Sequence, residues 1–433
     1  MRLLIKGGRL IDPFKRIDAV QDLLVEDGKV RSRGDQLDDS GCEIIDASGK
    51  IVCPGFIDMH VHLREPGFEY KEDIASGSRA AACGGFTTVC CMPNTEPVID
   101  NEAVVGFVKE KARKVGIVNV LPVGSISKKQ SGVELSEIAE LVTAGCVAIS
   151  DDGKPVMKAN IMRNALDYAK MFGLPVLSHC EDLNLVNGGL MHEGYYSTIY
   201  GLRGIPAAAE EVMVARDIIL ARLTGGHLHI CHASTAGSMA LIRQAKAEGL
   251  KVSCEVTPHH LTLSDEIIDG YDADTKVNPP LRSEEHLLAL REALLDGTVD
   301  CIATDHAPHH FEAKDCEYEL AACGISGLET AIAVIMDKLV RPGLLDIKDM
   351  VKLFTTGPAR VMGLDKGTLG EGKPADITII DPEMLKTVDP RTFKSKGKNT
   401  PFKGMELQGW PCMTLVNGVL IAQNGEILLK KQF

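Results

Sequence analysis

The stretch GFIDMHVHL, residues 55–63, decides the fold, because an apolar run ends there in two closely spaced histidines. Side chains two positions apart on a strand point to the same face, so His60 and His62 can reach one metal ion together. Neutral imidazole nitrogens bind Zn²⁺ at about 2.0–2.1 Å. An isolated pair with this spacing is equally compatible with solvent-facing or core histidines, so the rest of the chain must distinguish these alternatives.

Seven further apolar runs follow, and each of them ends in polar residues. They lie at residues 87–94, 119–126, 146–153, 174–182, 227–234, 251–260 and 301–309. Segments with helical periodicity separate the runs, for example residues 102–115, 134–144, 208–223 and 238–248. Eight strand–helix units in succession predict an α/β fold in which a parallel sheet closes into a (β/α)8 barrel of the TIM type.

The carboxyl ends of barrel strands are where the chemistry of such folds gathers. Beyond the histidine pair, these ends carry Asn94, Asp151, Asp152, His179, His232 and Asp305. Imidazoles and carboxylates are ligands for a catalytic metal ion, so we predict a metal site at this end of the barrel. Asp151 faces away from Asp152 on an extended strand, and we expect it to have a structural role.

Both chain ends show a different pattern, with short alternating strands separated by glycine-containing turns. The predicted strands are residues 3–6, 22–25, 29–31, 43–46, 376–380 and 414–421, the last with an Asn-Gly turn at 417–418. Neither end has enough strands to bury a face alone, so we expect them to pair into one small β-sandwich domain. The predicted domains are therefore residues 1–52 plus 366–433, and a barrel over residues 53–365.

Composition and charge restrict the partners of the protein. The net charge of −13 disfavours nucleic acid and anionic membrane surfaces, and no run approaches the roughly 20 apolar residues of a membrane span. Thirteen cysteines form no Cys-x-x-Cys pair and follow no secretory signal, which indicates reduced thiols in the cytoplasm. Because the net charge is negative, a site that binds an anionic substrate would need positively charged residues close to it.

Nine motifs together identify a narrower family than the histidine pair does. They are PGFIDMHVHLREPG (54–67), GGFTTVCCMPNTEP (84–97), SDDGKPV (150–156), SHCED (178–182), HICHAST (229–235), EVTPHHL (255–261), KVNPPLR (276–282), IATDHAPH (302–309) and GKPADITIIDP (372–382). With these motifs the chain resembles the dihydroorotases of the amidohydrolase superfamily, of the separate bacterial or archaeal kind. The resemblance covers nearly the whole chain.

The resemblance implies a zinc centre with one or two ions, of which two are favoured. His60, His62 and Asp305 would surround the first zinc, His179 and His232 would hold the second, and Asp152 would bridge them. Many superfamily members use a carboxylated lysine on the fourth strand as the bridge, but residues 146–152 contain no lysine. Lys154 lies beyond that strand, and we expect it to be a loop residue.

The implied reaction is the reversible cyclisation of N-carbamoyl-L-aspartate to L-dihydroorotate in pyrimidine biosynthesis. Zinc lowers the pKa of bound water from 15.7 to about 7, which permits attack on an amide carbonyl at neutral pH. Asp305 would be the catalytic residue that accepts the proton and passes it to the departing nitrogen.

Substrate binding requires positive charge, and Arg64 lies on the same face as the histidine pair. Its planar guanidinium suits a carboxylate. By resemblance Asn94 and His309 join this clamp, Asn278 binds the ring, and Gly324 offers a backbone contact. The two asparagines could instead cap turns, and His309 could be a surface histidine.

Three segments or groups near the site carry further expectations. Residues 311–323 are expected to cover the site as a mobile loop. The basic stretch 391–403 is expected to be a solvated loop packed over the barrel, with a phosphate or partner contact as the minor alternative. We assign His259, His260 and His306 to packing or to hydrogen bonds behind the ligands.

Competing functions are a hydantoinase or allantoinase activity, a non-catalytic assembly subunit derived from such an enzyme, and metal storage. Arg64 and Asn94, which suit a substrate carboxylate, argue against the first. The second would be indicated by a missing metal ligand, and none is missing. The resemblance also implies a homodimer and an association with aspartate transcarbamoylase.

Overall fold

The computed structural model describes residues 2–428, so residue 1 and residues 429–433 of the predicted terminal domain lie outside the described part. The described strands are β1 (Arg2–Asp12), β2 (Ile17–Glu26), β3 (Lys29–Gly34), β4 (Glu43–Asp46), β5 (Ile51–Pro54), β6 (Phe56–Val61), β7 (Phe86–Cys91), β8 (Asn119–Pro122), β9 (Ile149–Ser150), β10 (Val176–Ser178), β11 (Met191–His192), β12 (Gly204–Ile205), β13 (Leu228–Ile230), β14 (Val252–Val256), β15 (Cys301–Ile302), β16 (Ile377–Thr387), β17 (Glu406–Val416), β18 (Val419–Gln423) and β19 (Glu426–Ile427). The α-helices are α1 (Ile74–Cys83), α2 (Glu102–Val115), α3 (Ile138–Ala144), α4 (Ala159–Ala169), α5 (Leu183–Val186), α6 (Tyr195–Tyr200), α7 (Ala208–Thr224), α8 (Ala236–Ala247), α9 (Pro258–Thr262), α10 (Glu284–Leu295), α11 (Ala331–Ile335), α12 (Ile347–Phe354) and α13 (Thr356–Val361).

Eight parallel strands form the predicted barrel. Strands β6, β7 and β8 pair in one sheet, and β9, β10, β13, β14 and β15 pair in chain order in another. The parallel bridges Gly124–Ile149 and Val61–His306 join these two sheets at both edges. The sheet therefore closes on itself, which confirms the (β/α)8 fold.

The barrel strands are shorter than the apolar runs predict, and they lose residues mainly at their carboxyl ends. The run 227–234 gives only Leu228–Ile230, and the run 301–309 gives only Cys301–Ile302. The backbone turns there into the left-handed region, with φ of 31° at His232 and 48° at Asp305. The functional residues therefore lie on turns just beyond the ladder hydrogen bonds.

Helix bounds agree with the periodicity where no competing partner exists. Helix α2 covers residues 102–115 as predicted, and Thr235 caps α8 by accepting a hydrogen bond from the Ser238 amide at 3.1 Å. Helix α3 begins at residue 138 rather than 134, because Ser136 donates its amide hydrogen to Ile126 at 2.9 Å. Within residues 2–428, no helix is both long and apolar enough to cross a bilayer.

The two chain ends pair into one sheet, as predicted. Its order is β19-β18-β17-β16-β5-β1-β2-β3, with β4 beside β1, and β16 runs antiparallel to β5 to join the two ends. Asn417 and Gly418 make the turn between β17 and β18, both with positive φ. A separate apolar core lies under this sheet. The domain limits stay a prediction, since the sheet includes residues 51–54.

Small and sulfur-containing side chains fill the barrel interior beneath the site. Met59, Cys90, Leu177, Cys231 and Cys301 belong to one buried cluster there. This is consistent with an aromatic content of only 4%. A rigid, densely packed floor holds the strand ends in fixed positions.

Candidate active site

The six predicted metal ligands converge at the carboxyl ends of the barrel strands. Two triads have their ligand atoms mutually within 4.8 Å: His60, His62 and Asp305 form one, and Asp152, His179 and His232 form the other. All six residues are buried or nearly so. Strands β6, β9, β10, β13 and β15 supply them, so barrel closure is what brings them together.

The distances between ligand atoms suit a tetrahedral metal ion. Zinc with bonds of about 2.0–2.1 Å places neighbouring ligand atoms about 3.3–3.4 Å apart. His62 Nε2 lies 3.1 Å from Asp305 Oδ1, and His60 Nε2 lies 3.5 Å from the same oxygen. In the second triad, His179 Nδ1 and His232 Nε2 lie 3.5 Å and 3.3 Å from Asp152 Oδ1.

Asp152 contacts both triads. Its Oδ1 lies 3.4 Å from His60 Nε2, and its Oδ2 lies 3.4 Å from His62 Nε2. Its Oδ1 also faces His179 and His232 at the distances given above. One carboxylate thus lies between two sets of imidazoles, where a carboxylated lysine would otherwise be expected.

Three of the four histidines have their second ring nitrogen fixed by an oxygen acceptor. His60 Nδ1 donates to Glu255 at 2.6 Å, His62 Nδ1 to Asn94 Oδ1 at 2.9 Å, and His179 Nε2 to Glu181 at 3.2 Å. Such bonds set the tautomer and ring orientation of a metal-binding histidine. Asn94, expected at the substrate, therefore also orients a ligand.

Sequence reasoning missed Glu255 and Glu181 as functional residues. Glu255 is fully buried, one residue before the end of β14, a strand whose other residues are apolar or small. A lone carboxylate in such a strand needs a partner, because an unpaired buried charge is costly. That signal was present in the sequence, but the identity of the partner was not.

The electrostatics of the cluster favour a bound cation. Burial alone lowers the pKa of His60, but Asp152, Glu255 and Asp305 around it raise that pKa well above its usual range. Burial alone raises the pKa of Asp305, but His60 and His62 hold it below its usual value. Among the described residues, His60 Nε2 has no hydrogen-bond partner. The donor set, its charge and its unpartnered nitrogen all fit a divalent metal ion.

Arg64 lies beside this cluster as a cation with no ion-pair partner. Its φ is 61°, and burial lowers the pKa of its guanidinium to about 10. Within residues 2–428, no carboxylate lies within 4.0 Å of it, and its buried Nε has no hydrogen-bond partner. Its Nη2 lies 3.4 Å from His309 Nε2. Arg64 and His309 therefore line the same side of the site.

His309 is a neutral, positioned side chain rather than a surface histidine. Burial, and then the charge of Arg64, lower its pKa to about 3. Its Nε2 donates to the Cys323 carbonyl at 2.8 Å, and its Nδ1 has no partner among the described residues.

Asn278 and Gly324 lie near the site, but hydrogen-bonding groups of both residues already have partners within the protein. Asn278 Nδ2 donates to Glu181 at 3.2 Å. The Gly324 amide donates to the Lys276 carbonyl at 2.9 Å, and the Gly324 carbonyl accepts from Asn399 Nδ2 at 2.8 Å. A Cβ on Gly324 would lie 2.6 Å from the Ala307 carbonyl oxygen and 3.2 Å from His309 Nε2, so the close approach of Ala307 requires a glycine there.

Two buried lysines anchor the loop 311–323. Lys314 Nζ donates to the carbonyls of Ala273 and Ala322, both at 2.8 Å. Lys276 Nζ donates to the backbone carbonyl of Tyr318 at 2.6 Å. Burial lowers the pKa of Lys314 to about 8. In this structure the loop is thus attached to the neighbouring segment 273–276.

Asp151, His306 and His260 make hydrogen bonds within the protein, whereas the buried His259 Nε2 has no hydrogen-bond partner among the described residues. Asp151 accepts hydrogen bonds from the amides of Ile126 and Ser127 at 2.8 and 3.0 Å. His306 Nε2 donates to Glu72 at 3.3 Å, and His260 Nε2 donates to the Pro279 carbonyl at 3.0 Å.

Comparison with known proteins gives consistent relatives. A family model described as Dihydro-orotase-like matches residues 49–238, and one described as Amidohydrolase family matches residues 323–422. Proteins named dihydroorotase from Pelotomaculum thermopropionicum and Geobacter metallireducens are 57% and 53% identical. These alignments cover 98% and 97% of this chain, and 99% of each relative.

Solved structures with the same fold include hydantoinases. An L-hydantoinase from Arthrobacter aurescens superposes with a TM-score of 0.90 at 28% identity, over 99% of this chain and 97% of that one. A D-hydantoinase from Thermus sp. gives a TM-score of 0.85 at 27% identity, with the same coverage. The sequence identity between this chain and these solved structures is about half of its identity to the dihydroorotase relatives. The near-full-length matches show that this chain belongs to the dihydroorotase family.

Proposed function

We propose that this chain is a zinc-dependent dihydroorotase, which interconverts N-carbamoyl-L-aspartate and L-dihydroorotate in pyrimidine biosynthesis. Its relatives at 50–57% identity carry this name. In the proposal two zinc ions bind per chain, one at His60, His62 and Asp305 and one at His179 and His232. Asp152, which contacts both sets, is the bridge.

The observation that carries the proposal is the unpaired charge of Arg64 beside the metal ligands. A buried charge without a partner is strongly unfavourable, so the guanidinium is suited to an anionic group that arrives with the substrate. Both carbamoyl-aspartate and dihydroorotate bring a carboxylate. A planar guanidinium can bind that carboxylate with two parallel hydrogen bonds.

Chemistry at the metal ligands follows from their position. When bound, a metal ion of this kind lowers the pKa of coordinated water and polarises a carbonyl oxygen. Asp305 and Asp152 each contact more than one histidine of the site. The Asp305 side chain is 12% exposed to solvent, and the Asp152 side chain is 4% exposed. Asp305 therefore faces the open side, where it can take a proton from the nucleophile and deliver it to the departing ring nitrogen. In ring closure it removes the ureido proton.

The test is a paired activity assay on metal-loaded protein. We expect turnover of carbamoyl-L-aspartate and dihydroorotate, and little with hydantoin, allantoin or dihydrouracil, which lack the carboxylate. Arg64→Gln should raise KM for dihydroorotate at least about tenfold, since a hydrogen bond to a charged group contributes about 1.5–3 kcal/mol. Preference of the wild type for uncharged ring substrates would instead support a hydantoinase activity.

We also propose that two copies of the chain associate through the outer face of α4 and α7. Large apolar side chains are exposed there, namely Tyr168, Met171, Phe172, Ile219 and Leu223. Lys170 Nζ donates to the Thr224 carbonyl at 2.8 Å, so the ends of the two helices are adjacent. Monomers rarely expose contiguous apolar patches of this kind, and a symmetric dimer would cover the patch with itself.

Light scattering measures the proposed association directly. We expect a dimer that Ile219→Asp converts to a monomer, whereas Leu295→Asp, an equally exposed position on α10 at 61%, leaves it intact. A monomeric wild type would contradict the proposal. Association with aspartate transcarbamoylase stays a prediction, which chromatography of the two purified proteins together would test.

The cysteines support the proposal of a cytoplasmic location. All thirteen are free thiols, and nine are buried. Reduced cysteines persist in reducing compartments. Fractionation of cells that produce the protein would test this location.

A further inference from the structure

We infer that Asn399 is a positioning residue for the substrate-binding side of the site. The inference rests on the proposed function, and it concerns the basic stretch that was expected to be a solvated loop packed over the barrel. We name residues 394–399 the covering segment. They read KSKGKN, and their hydrogen bonds to Glu72 and His309 place them beside the loops that follow β6 and β15.

The covering segment alternates in burial along its length. Ser395, Gly397 and Asn399 are buried, while Lys396 and Lys398 are exposed. This period of two is the signature of an extended chain with one face on a surface. The lysines therefore form only the outer face, and the small polar residues face the barrel.

The inner face is attached first at Glu72. Ser395 Oγ donates a hydrogen bond to Glu72, which also accepts the His306 Nε2 hydrogen at 3.3 Å. The carbonyl of His306 in turn accepts the His62 amide at 2.8 Å. Gly397 fits closely, since a Cβ there would lie 2.5 Å from Pro308 Cβ. The segment thus packs directly against the loop that follows β15 and carries Asp305.

Asn399 makes the second attachment, and its partners are two of the proposed substrate-binding residues. Its Oδ1 accepts the His309 amide at 3.1 Å, and its Nδ2 donates to the Gly324 carbonyl at 2.8 Å. Its backbone carbonyl accepts the Ser326 amide at 2.7 Å. One buried side chain therefore fixes residue 309 to residue 324.

This bridge determines where the His309 ring lies. The ring donates to the Cys323 carbonyl, one residue before Gly324, and it lies 3.4 Å from the Arg64 guanidinium. If the side chain of Asn399 is removed, the hydrogen bonds that hold the His309 backbone next to Gly324 are lost, and the His309 ring is then free to shift. A displacement of about 1 Å in such a group can reduce activity by up to about a hundredfold.

The experiment compares steady-state kinetics of metal-loaded Asn399→Ala with the wild type and Asn119→Ala. The Asn399 side chain makes a third hydrogen bond, because its Oδ1 also accepts from Ser326 Oγ at 3.3 Å. Asn119 is matched to it, with three side-chain hydrogen bonds to Thr87, Thr88 and Asp376 at the opposite end of the barrel. We expect Asn399→Ala to raise KM for dihydroorotate about tenfold while kcat and bound metal change less than about threefold. Asn119→Ala should leave KM unchanged.

A double-mutant cycle with His309→Ala separates positioning from general destabilisation. If Asn399 acts through His309, the double variant should have nearly the KM of His309→Ala alone, because effects of coupled residues are not additive. A wild-type KM in Asn399→Ala, or full additivity, would overturn the inference. If Asn399→Ala does not fold, Asn399→Ser is judged by the same criteria.

Hydrogen exchange distinguishes failure of this inference from failure of the proposed function. Loss of Asn399 should speed exchange of the His309 amide, whatever the substrate is. A wild type without dihydroorotase turnover would refute the proposed function alone. Unchanged exchange at residue 309 would refute the positioning role alone.

Discussion

The bond between Glu255 and His60 gives the sharpest test of the metal centre. Glu255 Oε1 accepts the His60 Nδ1 hydrogen at 2.6 Å, and the same oxygen lies 3.2 Å from the His232 amide nitrogen. Its other oxygen accepts from His229 at 3.3 Å. One buried carboxylate therefore orients residues of both proposed zinc positions.

Glu255→Gln keeps the shape of this side chain but removes its charge. The bond to His60 then becomes a neutral one, and the amide nitrogen must face either His60 or His229. Loss of such an outer partner typically lowers metal affinity 10- to 100-fold, which corresponds to about 1.4–2.8 kcal/mol at about 1.4 kcal/mol per factor of ten. We expect a loss within this range, with kcat/KM reduced in parallel at limiting metal.

The assay is competition between the protein and a chromophoric zinc chelator. Asp12→Asn is the matched control. Asp12 is equally buried, but it lies at the end of β1 in the terminal sheet, where it accepts hydrogen bonds from Thr368 Oγ1 and the Leu369 amide. A Glu255→Gln protein that is folded and binds zinc within about threefold of the wild type would refute the reasoning. So would an equal loss in Asp12→Asn, since that would indicate an effect of fold stability.

Further predictions concern other carboxylates. Asp152→Asn should reduce bound zinc from two ions per chain to one or none, because its carboxylate contacts both triads; retention of two ions by mass spectrometry would contradict the bridge. Asp305→Ala should abolish turnover but leave the circular dichroism spectrum unchanged, and normal turnover would exclude it as the proton carrier. Burial raises the pKa of Glu329 from 4.5 to about 7. Between these two pH values the Glu329 carboxyl group is protonated in the folded protein and ionised in the unfolded chain. Stability should therefore fall between pH 4.5 and about 7, by about 2 kcal/mol after allowance for partial exposure. Urea unfolding should show a flatter profile for Glu329→Gln, and identical profiles would contradict the sign.

Much of the fold and of the ligand set could be predicted from the sequence, because the relevant signals are local. Apolar runs that end in polar residues marked all eight barrel strands, and the spacing of His60 and His62 placed two imidazoles on one face. Helix α2 was predicted at both ends. The carboxyl ends of the strands were overestimated, because the turns at His232 and Asp305 continue the apolar pattern while the backbone leaves the ladder.

The sequence by itself determined which residue types the site contains and which strands carry them. Only the tertiary structure decided how those residues are paired. Glu255 and His60 are 195 positions apart, and Asn399 and His309 are 90 apart. No periodicity extends over such distances. Closure of the barrel and the return of the chain end over it create these contacts, so the hydrogen bonds that orient the site depend on packing rather than on local sequence.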